Sequence, residues 1–167
     1  MANKQSFKPE EWTKILESTM LAGMAVSAAE PSGLWGALKE AFASSSALAA
    51  ANANAGSSEL VKAVVADFET KEGRAAVQEA LRQRLAGATK PADAVQRSLA
   101  NLKEVSAILN AKAPKDAPGF KAWLQTISQN VAEASSEGGF LGIGGVQVSD
   151  AEKATLADIS KALGTST

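Results

Sequence analysis

Apolar side chains recur every three or four residues along most of this chain, the spacing that lines one face of an α-helix. Trp12, Ile15, Leu16, Thr19, Met20 and Gly23 follow it after Pro9-Glu10-Glu11, a proline and two acids suited to a first helical turn. The second half of this segment is apolar or small on nearly every face, which predicts a helix through the centre of the fold. Glu30-Pro31-Ser32-Gly33 stops it. A second helix carries Leu34, Trp35, Leu38, Ala41, Phe42 and Leu48, then fades into an alanine-rich end and a loop over 43–55. Ser57 or Ser58 caps a short helix with Leu60, Val61, Val64, Val65 and Phe68. The stretch 73–85 reads as another, with Val77, Ala80, Leu81 and Leu85, ended by Gly87.

Pro91 opens a longer helix bearing Val95, Leu99, Leu102, Ser106 and Leu109, and Pro114 and Pro118 bracket a rigid connection. Phe120, Trp123, Leu124, Ile127 and Val131 define the next helix, ending near Glu137-Gly138-Gly139. The last begins with the capping box Ser149-Asp150-Ala151-Glu152, carries Leu156, Ile159 and Leu163, and stops at Gly164. Lys153, Asp158 and Lys161 fall on its solvent side. The pattern predicts an all-α fold: one domain over 1–167, a bundle of six or seven helices with one glycine-rich irregular segment before the last.

Composition narrows the chemistry. The 167 residues include no cysteine and no histidine, which removes disulfides, thiolate nucleophiles, His/Cys zinc sites and Ser-His-Asp triads. A net charge of −1 with mixed signs gives no electrostatic case for nucleic acid or an anionic membrane surface. The longest apolar run, 20–26, is far short of the ~20 residues that span a bilayer, and the first residues lack the apolar core of a signal peptide. The expectation is a cytoplasmic protein with no membrane span.

The most unusual stretch is Gly138-Gly139-Phe140-Leu141-Gly142-Ile143-Gly144-Gly145-Val146-Gln147-Val148. A phosphate cradle fails here, because the glycine its spacing needs at 147 is Gln147 and the segment follows a helix instead of a strand. Phe140, Leu141 and Ile143 are too apolar for an ordinary solvated loop and form the candidate contact for a protein partner or a second copy of the chain. Glu137, Asp150 and Glu152 flank the glycines and could supply oxygen ligands to calcium or magnesium, but Asp150 and Glu152 also suit the positive end of a helix.

Trp12, Trp35 and Trp123 each sit in an apolar stripe. They read as core, or as the lining of a pocket for a small apolar ligand together with Met20, Met24, Phe42 and Phe120. Asp67-Phe68-Glu69-Thr70-Lys71-Glu72 reads as a solvated turn, and Glu10 and Glu11 as first-turn acids. Arg74, Arg82 and Arg84 make a stripe that glutamates interrupt, without the interleaved aromatics of a nucleic-acid surface. No pair of carboxylates is marked out for acid–base work.

The segment Gly145-Val-Gln-Val-Ser-Asp-Ala-Glu-Lys-Ala-Thr-Leu-Ala-Asp-Ile159, with the helix from Ile127 before it, has an outline repeated by Leu21-Ala-Gly-Met-Ala-Val-Ser-Ala-Ala-Glu-Pro-Ser-Gly33. Each is an apolar helix, a glycine-containing turn and a new helix. This arrangement resembles the bacterial TerB-like tellurite-resistance family. The resemblance implies a compact all-α domain linked to stress responses, with acidic turn residues proposed for metal. Here Asp150 and Glu152 match the helix-start positions, and Glu30 stands where the family has an aspartate. The functional expectation is a non-enzymatic helical interaction or stress-associated module without a cofactor. The alternative is a binder of a small apolar ligand or a divalent cation.

Overall fold

The structure, a computed structural model, describes residues 1–29, 58–137 and 148–165, apart from the side chains of 134–137. A 3₁₀ turn, Lys4–Ser6, precedes six α-helices among these residues: α1 (Pro9–Ala29), α2 (Glu59–Glu69), α3 (Lys71–Arg84), α4 (Pro91–Lys112), α5 (Ala117–Glu137) and α6 (Asp150–Leu163). No strand occurs among the described residues. The all-α expectation holds. The predicted helix carrying Leu34, Trp35, Leu38, Ala41, Phe42 and Leu48 lies outside the described residues, as does the glycine-rich stretch over 138–147.

Helix α1 is the axis of the bundle. Every residue from 15 to 28 is buried, and α2, α3, α4, α5 and α6 all pack on it. Its small residues (Ala22, Gly23, Ala25, Ala28) let neighbouring backbones approach closely. Its large ones (Ile15, Leu16, Met20, Leu21, Met24) fill the remaining space. Helix α4 runs antiparallel along α1, with Lys112 beside Glu11 at one end and Pro91 near Ala28 at the other. The stripe that α4 buries is centred on Ala94, Ser98, Asn101, Val105 and Leu109. Val95 and Leu99 therefore sit on its flank, half-buried, and two polar side chains occupy the middle of the contact.

The junction of α2 and α3, read as a solvated turn, is exposed at Glu69, Thr70, Lys71 and Glu72 but is also a hydrogen-bonded clip. Thr70 is the N-cap of α3, accepting from the Gly73 amide at 2.9 Å and donating to the Asp67 carbonyl at 2.7 Å. Helix α3 thus starts two residues before Gly73. Arg74 reaches back to the carbonyls of Phe68 and Glu69, the last residues of α2. Gly73 is buried because its missing side chain leaves room for the Asp67 carbonyl, with which a Cβ would collide.

The capping box of α6 forms as its sequence pattern requires. The Glu152 amide donates to Ser149 Oγ at 3.2 Å, and the Ser149 amide donates to Glu152 Oε2 at 2.9 Å. At the other end Gly164 takes the left-handed conformation, φ +67°, that favours glycine. Ser106 of α4 donates to the Leu163 carbonyl at 2.8 Å, satisfying one of the carbonyls a helix end leaves open. Ile159 and Leu163 are buried, while Lys153, Asp158 and Lys161 are exposed. Leu156 is only half-buried, because the buried line runs Glu152, Thr155, Ile159, Leu163 and Leu156 lies beside it.

Three substitutions can be checked by urea unfolding. Gly73→Ala should cost roughly 1–3 kcal/mol, because backbone stands where the methyl would go. Ser149→Ala should cost about 1 kcal/mol through the lost cap, and Ile159→Ala roughly 2–5 kcal/mol through the cavity it leaves.

Candidate functional site

A cleft of about 360 Å³ opens between α5 and α6. Gln125, Thr126, Gln129 and Asn130 of α5 form one wall, Leu156 and Ser160 of α6 the other, and Ala122, Ser128 and Ile159 complete the lining. No charged side chain lines it. The two helices are held together by Gln125, whose Nε2 donates to Ser160 Oγ at 2.9 Å. Ser128 anchors α5 to the axis by donating to the Ala22 carbonyl at 3.1 Å. An apolar floor with amide and hydroxyl walls suits a neutral, hydrogen-bonding surface of a partner.

A second cleft, of about 520 Å³, lies where α1 ends beside the start of α4. Ala28, Ala29, Pro91, Ala92 and Val95 line it, with Lys90 and Gln96 at its edge. Its walls are mostly apolar, in contrast to the α5–α6 cleft.

Glu17 and Arg97, which the sequence reading passed over, and Asp67 and Arg84, which it placed in a turn and a stripe, are tied into contacts between elements. Glu17 of α1, 2% exposed, accepts from Arg84 of α3 through both carboxylate oxygens, at 2.6 and 3.0 Å. Asn101 of α4 donates to the same carboxylate at 3.2 Å. Arg97 of α4 grips the end of α3 by donating to the carbonyls of Arg84 and Ala86. Asp67 accepts from Trp12 Nε1 at 2.7 Å and from Lys4 Nζ at 2.9 Å. A sequence signal existed for Glu17 alone: it is the single charge between Ile15 and Ala29.

Shifts in proton affinity accompany two further contacts, one on the surface and one buried. The Lys112 ammonium bonded to Glu11, with the Lys8 amide beside it, holds the Glu11 carboxyl below its usual range. Burial lowers the affinity of Lys121, whose Nζ donates to the neutral Asn110 Oδ1 at 2.8 Å. The three arginines read as one stripe do separate work: Arg74 and Arg84 clip helix ends and a buried acid, and Arg82 pairs with Glu79 on the surface.

The sequence-predicted site residues are dispersed. Trp12 is core, stacked at a tilt against Phe7; Trp123 is core, edge-on to Phe120; neither lines the two clefts above. Trp35, Phe140, Leu141 and Ile143 lie outside the described residues, as does the side chain of Glu137. Asp150 projects fully into solvent, with Lys153 at 3.8 Å, whereas Glu152 turns inward to the Ser149 cap. Among the described residues no three acids gather as a metal site would need. No described helix is long and apolar enough to cross a membrane.

The fold defines an all-α helical bundle. No family model, curated protein or solved structure matches the chain.

Two measurements probe the charged framework. Arg84→Met should cost roughly 3–5 kcal/mol, since it leaves the Glu17 carboxylate buried without its cation; Glu17→Met with Arg84→Met should cost less, both charges then being gone. For Glu11, a carboxyl whose affinity is lowered on folding stabilises the fold above the ordinary carboxylate range and loses that contribution as pH falls through the lowered value. Glu11→Gln should therefore remove part of the acid-side fall in Tm and leave the neutral-to-alkaline shape of the Tm–pH curve unchanged.

Proposed function

We propose that the chain is a non-enzymatic helical interaction module and that the α5–α6 hairpin is its contact face. The observation carrying this reading is the α5–α6 cleft itself: an uncharged depression between the two helices whose connection contains Phe140, Leu141 and Ile143. Among the described residues Met1 is the one large apolar side chain that is largely exposed, and Val65, Val95, Leu99, Ile108 and Val131 are half-buried. The connection is where the sequence concentrates apolar groups without helical periodicity. A partner, or a second copy of the chain, would gain hydrophobic area from these three residues and hydrogen bonds from Gln125, Gln129 and Ser160. The TerB-like resemblance supports a stress-associated, bacterial setting, and the lack of a described membrane-spanning helix is in keeping with a cytoplasmic one.

A second reading, a binder of a small apolar ligand, is favoured by the mostly apolar cleft at Ala28, Ala29, Pro91, Ala92 and Val95. Native mass spectrometry of the purified chain separates the two. The interaction reading expects assemblies or a co-purified protein, and the ligand reading expects a small adduct lost on Val95→Gln.

For the first reading, Phe140→Ser with Leu141→Ser should lower the associated mass seen by light scattering and abolish partner retention, with Tm changed by only a few degrees. A large fall in Tm, with the remaining folded protein associating as before, would identify these residues as core and end the proposal.

A further inference from the structure

We infer that the seam between α1 and α4 holds one internal water molecule, bridging Ser98 Oγ and Asn101 Oδ1. Both residues are fully buried, and both atoms lack a hydrogen-bond partner within the protein. They lie three apart on α4, so their side chains share the face that packs on the axis, with Cβ atoms roughly 5–6 Å apart. That spacing suits two groups joined through one water.

The orientation of Asn101 is set by its neighbours. Its Nδ2 donates to Glu17 Oε2 at 3.2 Å and lies 3.4 Å from the Lys14 carbonyl. Exchanging the two ends of the amide would set oxygen against a carboxylate and a carbonyl, so Oδ1 must face away from them. It then needs a donor that the packed side chains do not supply. Ser98 carries a hydroxyl hydrogen that a water oxygen can accept, and the same water can donate to Asn101 Oδ1. Buried polar atoms are almost always satisfied by protein or by ordered water, and one water here satisfies two at once. It would extend the Arg84–Glu17–Asn101 chain, which already links α3, α1 and α4, to Ser98 one turn back along α4.

The test is a crystal structure of the full chain at a resolution that places ordered waters, with water–amide cross-relaxation in solution as a second readout. The expected result is a well-ordered peak within hydrogen-bond distance of both oxygens, and a long-lived water signal at the Ser98 and Asn101 amides. Ser98→Ala should weaken or remove both, while Ser98→Thr, which keeps the hydroxyl, should retain them. Density showing Ser98 Oγ donating to the Ala94 carbonyl one turn back, with no water at Asn101 Oδ1, would overturn the inference. So would an unchanged peak in Ser98→Ala.

Discussion

A helix buried on all sides must dispose of every polar group it carries, and α1 carries a carboxylate. Glu17 is buried on the axis between α3 and α4, and an unpaired charge there would cost several kcal/mol. The requirement dictates the positions of two neighbours. Helix α3 must end so that Arg84 meets both carboxylate oxygens, and α4 must be phased so that Asn101 faces the same group. Arg97 then holds the last carbonyls of α3, which locks the first partner in place through the second. Such a cluster adds little net stability over an apolar filling; its effect is to penalise other registers of three helices against one another.

The same logic operates at the edge of the fold with lower stakes. The chain before α1 is held by a few carboxylates: Asp116 accepts from the Ala2 amide, Asp67 from Lys4 and Trp12, and Glu11 from the Lys8 amide and Lys112. Asp67 is the most economical of these. Its carboxylate joins the initial segment to Trp12, while its backbone carbonyl joins α2 to the cap of α3. The close approach at Gly73 brings these contacts together in one corner of the molecule.

These commitments bear on function. Glu17, Asp67, Arg74, Arg84 and Arg97 are all engaged in contacts between elements of the body of the molecule. The α5–α6 cleft differs from it in being open, uncharged and lined by amides and hydroxyls, and it belongs to the two helices that flank the apolar connection. The TerB-like resemblance rests on the start of α6, where Asp150 and Glu152 both have structural explanations: a dipole-favoured exposed acid and a capping residue.

The sequence by itself determined the helices. Periodicity located α1, α2, α4, α5 and α6. Proline, serine and glycine at their ends marked most boundaries, and the Ser149-x-x-Glu152 box was legible to the atom, because caps and periodicity are local properties of a few residues. Missed were the groups whose role depends on what another helix brings. Thr70 as a cap displaced the predicted start at Gly73, since a buried glycine in a first turn is explained only by the carbonyl that crosses it. Leu156 and Val95 fell to the flanks because the phase of a stripe is set by the partner helix, over angles that a sequence leaves open. Asn101 carried no sequence signal, and its role appears only where α1 places Glu17 opposite it. Which polar residue is buried, and beside what, is a matter of pairing across distances of 60 to 110 residues, and tertiary packing alone decides it because only there does desolvation demand a partner.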